Sequence, residues 1–479
     1  MSLVIAADRS GVGKTTITAA ILASLQARPG VVQSFKVGPD YIDPMFHTVV
    51  THRPCRNLDP ILTSDHYIQK LFQTHTRQSD YALIEGVMGL FDGAIGQDGR
   101  GSTAHIARLL NLPIALVLDC SRLSDSIAAL VHGYTSFDPQ IQIAGVILNR
   151  VGSDRHLQSL KLALQPLSVR IVGVLQRQPS IHIPNRHLGL VPIEELEGTE
   201  GLLQQLATVG NCCFDWSVLL PLLATSASSR PQDVPPLPAP YISPQTRPHH
   251  SLQPSSAIRV AIARDVAFSF YYADNLDQLR QLGAELVYWS PINDKALPIN
   301  IHGLYLGGGF PEMFAVELSQ NLAVRQALKN VIQAGLPTYA ECGGLMYLCE
   351  SLQTLEGHSL PMVGVLPTNV KMTKRLTLGY RCAIATQDTP LLTAGTTVWG
   401  HEFHHSQLDH IAENPIYTLA ANPSAATLPQ MEGWHLYNLH ASYLHLHWGH
   451  HPELPQRFLQ QCQSFRHDMD GPENRTQHL

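Results

Sequence analysis

Two short stretches carry side chains of the types and spacing that do chemistry. In the first, Ser10-Gly11-Val12-Gly13-Lys14-Thr15-Thr16 stands between an apolar run and a segment of helical length. A phosphate-binding loop needs that context. Backbone N–H groups and the helix N-terminus bind phosphate oxygens, Lys14 reaches the terminal phosphates, and the Thr15 hydroxyl is offered to Mg²⁺. Asp8 occupies the place of the first glycine in the usual pattern, so the loop is a variant. Lys36, Asp40 and Asp43 follow in FKVGPDYIDP, Glu85 ends YALIE, and Asp92 lies in GLFDG. Magnesium takes one or two carboxylates together with phosphate oxygens, which makes Asp40, Asp43 and Glu85 its candidates. For each of these acids, and for Asp92, a helix cap or a solvated turn residue is the competing reading.

The second stretch is LPTYAECGGLMYL, in which Cys342 leaves a strand and enters a helix. A helix N-terminus lowers a thiol pKa, so the elbow predicts an enriched thiolate. The Gly343 N–H is placed to donate to an oxyanion, and the Gly307-Gly308-Gly309 loop supplies a second donor. The alternative is a buried, inert cysteine, the usual fate of a free thiol. The other seven cysteines have no such setting, and no CxxC occurs. A nucleophilic thiolate needs a histidine, but ten of the 25 histidines lie between His401 and His451, and composition does not choose among them. HEFHH lacks the HExxH spacing of a zinc site.

The elements that must position these residues alternate in type. SLVIAAD, VVQSFKVG, YALIEG, PIALVLDC and IAGVILNRV are short, nearly continuous apolar runs, as in a parallel sheet buried on both faces. TTITAAILASLQAR reads as the helix behind the loop. The C-terminal half repeats the theme with IRVAIARD, the helix and strand of NLDQLRQLGAELVYW, GLYLGGG, VRQALKNVIQAG and LPTYAECGG, and LMYLCESL reads as a helix. Both halves are α/β. Eight prolines between Ser229 and Pro254 read as an extended linker. The expected organisation is a P-loop domain over 1–222, a linker over 223–257, a second α/β domain over 258–455 and a polar, frayed tail over 456–479.

The 479 residues suit two or three domains. Hydrophobic residues at 44% and charged residues at 15% exclude wholesale disorder. The net charge of −6 argues against a non-specific nucleic-acid binder. With no basic leader and no apolar stretch of membrane-spanning length, the expectation is a soluble cytoplasmic protein.

In order, GVGKTT, FKVGPDYIDPMFH, LIEGVMGLFDG, GLYLGGGFPE, YAECGGLMYL, MTKRLTLGYR, GHEFHHS and ASYLHLHW resemble the cobyrinate a,c-diamide synthase family of cobalamin biosynthesis over residues 3–450. The resemblance implies a dethiobiotin-synthetase-type P-loop ligase followed by a class I, triad-type glutaminase. It implies ATP, Mg²⁺, L-glutamine and cobyrinate as partners, with no nucleic acid and no membrane, and it allows a homodimer. It assigns Cys342 as nucleophile and His445 as the catalytic histidine, with Asp40, Asp43, Glu85 and Asp92 serving ATP–Mg²⁺ and substrate activation. Gly11, Gly13, Lys14, Thr15, Thr16 and Lys36 fall to the nucleotide, Asn149 to its adenine, and Thr15, Asp43 and Glu85 to the metal. Gly308, Gly309 and Gly343 form the oxyanion site. The position two after the histidine, glutamate in many triads, is His447 here, which leaves open what orients His445. A polycarboxylate substrate needs a local basic surface on a net acidic protein, for which Lys371, Lys374, Arg375 and Arg381 are the candidates. Hydrogenobyrinate and nickel-sirohydrochlorin carry equivalent acetates. A P-loop switch ATPase of the partitioning type, with a vestigial glutaminase, is the alternative of a different class.

Overall fold

A computed structural model describes residues 2–177, 185–186, 189–190, 198–225, 257–420 and 430–470. The chain divides into two compact units, Met1–Arg247 and Pro248–Leu479. In the first, β1 (Leu3–Ala7), β2 (Val32–Val37), β3 (Arg56–Leu58), β4 (Tyr81–Glu85), β5 (Ile114–Asp119), β6 (Ile143–Val151) and β7 (Ile171–Gln176) form one sheet. Its order is β3-β2-β4-β1-β5-β6-β7 and every pairing is parallel. Successive residues of β1 enter opposite cores. Val4 and Ala6 pack with Phe35, Ile84, Ile106 and Val131 on one face, and Leu3, Ile5 and Ala7 with Ile17, Ile21, Leu25 and Leu206 on the other. Burial on both faces is why the strands are apolar without alternation. Within the 156–220 region, which offers no chemical motif, the described helices supply cover. The helix Thr199–Cys213 packs so closely on the helix Lys14–Gln26 that a Cβ on Gly210 would lie 2.1 Å from the Ala20 carbonyl oxygen. A two-residue ladder pairs β8 (Asn185–Arg186) with β9 (Gly189–Leu190).

Among its described residues the second unit holds two sheets. The central one runs β11-β10-β12-β13-β21-β20, from β10 (Arg259–Ala263), β11 (Glu285–Trp289), β12 (Gly303–Leu306), β13 (Thr338–Glu341), β20 (Trp434–Leu436) and β21 (Leu439–Ser442). All its pairings are parallel except β20 with β21. The other contains β14 (Cys349–Gln353), β15 (Ser359–Pro361), β16 (Leu366–Ala385), β17 (Thr397–Leu408), β18 (Tyr417–Leu419), β19 (Gln430–Glu432) and β22 (His445–Leu446). This largely antiparallel sheet is absent from the α/β reading of the sequence. LMYLCESL is not one helix: the helix Gly343–Leu348 stops where Cys349 turns extended (φ −64°, ψ 170°) and starts β14, paired with β15 and β16.

The expected tail from residue 456 is also corrected. Glu453–Asp470 is a helix that buries Leu454, Phe458, Leu459 and Cys462, a stripe at helical spacing, with Phe458 and Cys462 against Gly303 of β12. The sparse apolar residues of this segment hid that stripe. The proline-rich segment, apart from Leu223, Ala224, Thr225 and Ala257 at its ends, lies outside the described residues, as do residues 471–479. Among the described residues no helix is long and apolar enough to cross a membrane.

Candidate active sites

In the first unit the loop leaves the carboxyl end of β1, where open α/β sheets bind ligands. Gly13 has φ 100°, and a Cβ there would lie 2.6 Å from Nδ2 of Asn149. Asn149, near the end of β6, donates Nδ2–H to the Val12 carbonyl at 2.7 Å, so it braces the loop directly. Lys14 opens the helix Lys14–Gln26 and gives its ammonium to the carbonyls of Met88 and Arg9. Burial, then repulsion from Lys36, lowers its pKa to about 8. Gly11 is exposed at the tip of the loop and Thr16 is half-buried in the first helical turn.

Thr15, Lys36, Asp43 and Glu85 meet below the loop. The Thr15 hydroxyl lies 2.7 Å from Glu85 Oε1 and 3.3 Å from Asp43 Oδ2. Lys36 Nζ lies 2.6 Å from Asp43, 3.1 Å from Glu85 and 3.9 Å from Asp40. Burial opposes the charge on Lys36, but Asp43, Glu85 and Asp40 outweigh it and hold the ammonium protonated. Burial also opposes the Glu85 charge, and Lys36 with His47 outweighs it, keeping Glu85 ionised. Asp43 is different: burial and then Asp40 push its carboxyl well above the usual range. Asp40 is half-exposed, and its Oδ1 accepts from the Ile42 and Asp43 N–H groups, the capping role that competed with the metal reading. Asp92 accepts from Gly89 N at 2.9 Å and braces the turn after β4.

The sequence reading passed over two members of this cluster. His47 Nε2 lies 2.7 Å from Glu85 Oε2, and Cys55 Sγ lies 3.3 Å from His47 Nδ1. Burial would lower the His47 pKa, but Cys55 and Glu85 raise it to about 10. The available signal was spacing: His47 follows Asp43 by four residues on the helix Ile42–Thr51, so the two share a face.

In the second unit β13 delivers Cys342 to the elbow with φ 45° and ψ −98°, a strained backbone for a residue with a Cβ. The Ser442 carbonyl accepts its N–H at 2.7 Å, and the Met346 N–H returns to its carbonyl at 2.9 Å. The glycine loop after β12 closes on this elbow. A Cβ on Gly343 would lie 3.0 Å from Gly309 N, and one on Gly308 would lie 2.4 Å from Cε1 of His445. Gly308, Gly309, Gly343 and His445 are therefore brought together around Cys342. The expected thiolate is not what the elbow produces. Burial, followed by Glu312 and Glu341, pushes the thiol pKa well up, and the Gly343 N–H only partly offsets this. The helix behind the cysteine has only six residues, and burial of the thiol is the larger effect.

The GHEFHHS motif forms part of β17 beside this centre. His401 is the register partner of His445, and the Cys342 thiol points to the Phe403 carbonyl at 3.9 Å. Burial, then His445 and Arg381, depress His401 to about 3, so it is neutral. The four basic candidates do not form one patch. All lie on β16, with Lys371 paired to Asp409 at 2.7 Å and Arg381 to Glu402 at 2.6 Å, while Lys374 and Arg375 are exposed at a register shift between them. Among the described residues no three His, Cys, Asp or Glu side chains gather as a ready metal cage, the histidines of 401–451 included.

Comparison with known proteins agrees across both units. The model of the CobQ/CobB/MinD/ParA nucleotide binding domain matches residues 3–191. That of the CobB/CobQ-like glutamine amidotransferase domain matches residues 259–453. The chain is 55% identical to a cobyrinate a,c-diamide synthase of Synechococcus sp., over 97% of this chain and 98% of the relative. It is 50% identical to one from Synechocystis sp., covering 97% and 94% respectively. Its identity to a hydrogenobyrinate a,c-diamide synthase of Streptomyces coelicolor is 41%, covering 96% and 97%.

Proposed function

The chain belongs to the cobyrinate a,c-diamide synthase family, and from that premise we propose that its two sites amidate the a and c acetates of cobyrinate with ATP and glutamine. It is an ATP-dependent glutamine amidotransferase of cobalamin biosynthesis. The observation that carries the residue assignments is the company Cys342 keeps: a strained elbow, a glycine loop and His445 in one buried centre.

In the glutaminase, the Cys342 sulfur attacks the glutamine carboxamide carbon. Because burial holds the thiol protonated, its proton must leave as the bond forms, and His445 is the base at hand. The oxyanion is received by the N–H groups of Gly343 and the Gly308–Gly309 loop. His445 returns the proton to the departing ammonia, then takes one from the water that hydrolyses the thioester to glutamate.

In the ligase, a carboxylate oxygen of the corrinoid attacks the γ-phosphorus of ATP and ADP leaves. Ammonia attacks the acyl phosphate carbon, phosphate departs, and the amide remains after loss of a proton. The loop N–H groups and Lys14 hold the triphosphate, and Lys36 places its ammonium where charge develops. Asn149 supports the loop and serves the adenine. The cluster fits a magnesium ion: the carboxylates of Asp43 and Glu85 and the Thr15 hydroxyl converge, and burial and Asp40 already press Asp43 toward neutrality. Thr15, Asp43 and Glu85 would hold the ion, which would offset charge on the terminal phosphates. Asp92 supports this site from the neighbouring turn. Lys374 and Arg375, with Lys371 and Arg381 where substrate displaces their present partners, are the carboxylate-binding candidates.

The substrate assignment is tested by supplying cobyrinate, hydrogenobyrinate and nickel-sirohydrochlorin with ATP and glutamine and weighing the products. Two amides on cobyrinate, formed at the highest kcat/KM of the three, is the expected result. A preference for either other tetrapyrrole contradicts the substrate. ATP turnover that proceeds equally without any tetrapyrrole favours the switch-ATPase alternative.

A further inference from the structure

The +2 position after His445, where many triads place a glutamate, is His447. The group that fixes the catalytic imidazole must come from elsewhere. His447 turns Nε2 to Asp274 Oδ2 at 3.4 Å, and its ring packs on Tyr272, so that branch serves His447. His445 Nδ1 instead faces Glu341 Oε2 at 3.8 Å, both side chains being 1% exposed.

We propose that Glu341, the residue preceding the nucleophile, is the positioning residue of the glutaminase: its carboxylate fixes the tautomer and tilt of His445. The proposal rests on the Cys342–His445 reading above. Three further contacts hold Glu341 in place. Tyr339 donates its hydroxyl to Oε1, Tyr305 donates to Oε2 at 3.1 Å, and the Leu446 N–H donates to Oε1 at 3.0 Å. Burial and Glu341 push both tyrosines well above 10, so both remain donors. Leu446 directly follows His445, so one carboxylate anchors the β22 backbone and faces the ring it carries. The imidazole then has a definite orientation: Nδ1 toward Glu341, and the Cε1–Nε2 edge toward Gly308, whose loop brings the oxyanion donors. A 3.8 Å separation is long for a hydrogen bond, but such contacts in unliganded enzymes tighten when substrate binds.

The arrangement differs from a sequential triad in one respect. The orienting carboxylate comes from β13, the strand that also delivers the nucleophile, so Glu341 and Cys342 are placed by a single strand end. Among the groups facing His445 are Glu341 from β13, neutral His401 from β17 and the Gly308 loop. Arg381, whose charge acts on His401, pairs with Glu402.

The test is steady-state glutamine hydrolysis by the full chain carrying Glu341→Gln or Glu341→Asp, with Cys342→Ser in parallel. Glu341→Gln is expected to lower kcat by about 100-fold or more while KM for glutamine changes little. Glu341→Asp keeps the carboxylate and is expected to recover most of kcat. A Gln variant with parental kcat overturns the proposal. So does an Asp variant no better than Gln with kcat and KM failing together, since that pattern marks structural support alone. If Glu341→Gln does not fold, Tyr305→Phe, which removes a donor that holds the Glu341 carboxylate, decides: reduced kcat with unchanged KM sustains the role, and parental kcat overturns it. Glutamine hydrolysis surviving in Cys342→Ser would instead show that the nucleophile reading had failed.

Discussion

A single methyl group separates a working glutaminase loop from a blocked one. At Gly308 it would lie 2.4 Å from His445 Cε1 and 3.3 Å from Nε2. Gly308→Ala is therefore expected to cut glutamine hydrolysis at least 10-fold by displacing the imidazole, at a stability cost of about 1–3 kcal/mol. Parental hydrolysis in that variant would mean that the loop and the imidazole part in solution. In the proposed ligase site, Lys36 places its ammonium between Asp43 and Glu85. Lys36→Met leaves buried carboxylates without it and should destabilise the P-loop unit by about 3–5 kcal/mol, read from its urea midpoint. An unchanged midpoint would show that the acids protonate at little cost. Cys342, Lys14, Asp43 and Glu85 stand out in the sequence because each lies in a local motif at a strand end or shortly after one. Glu341 and His47 were not, because their partners are set by packing across strands and helices. The thiolate expectation failed for a related reason: the motif reports the elbow, while burial and Glu312 depend on the folded surroundings.

At the scale of elements, the parallel sheets were readable and the antiparallel one was not. β1, β4, β5 and β10 are short apolar runs whose neighbours are helices, a pattern visible one segment at a time. β16 is twenty residues with mixed burial and a register shift, and it has meaning only beside β17. β19, paired with β18 in the same sheet, carries a titration that tests the packing. Burial raises the Glu432 pKa to about 7, although the Tyr443 N–H and the Ser442 hydroxyl donate to its carboxylate. A folded pKa above the unfolded value means that the folded state binds the extra proton. The resulting stability is present below pH about 4.5 and is lost as pH rises to about 7. The loss is on the order of 3 kcal/mol. Glu432→Gln removes that dependence, so it should gain stability over the parent at pH 8 relative to pH 5. Urea midpoints at the two pH values measure it, and parallel shifts in both proteins would refute the raised pKa.

At the scale of the whole molecule, each unit has its own cores, and the proposed chemistries divide between them, with Lys14, Asp43 and Glu85 proposed for one and Cys342 and His445 for the other. Two thermal transitions are expected. A non-hydrolysable ATP analogue with Mg²⁺ should raise only that of the P-loop unit, by about 2.7 kcal/mol at 100 times Kd. A single transition that shifts as a whole would show that the units unfold together. Under the proposed mechanism glutamine nitrogen reaches the corrinoid only through Cys342. Amide-¹⁵N glutamine, unlabelled ammonia, ATP and cobyrinate are supplied to the parent and to Cys342→Ser, and the diamide is weighed. The expected result is ¹⁵N in the parent's amides and an unlabelled diamide from Cys342→Ser. Labelled product from Cys342→Ser, or no amidation by it even with ammonia, overturns the mechanism.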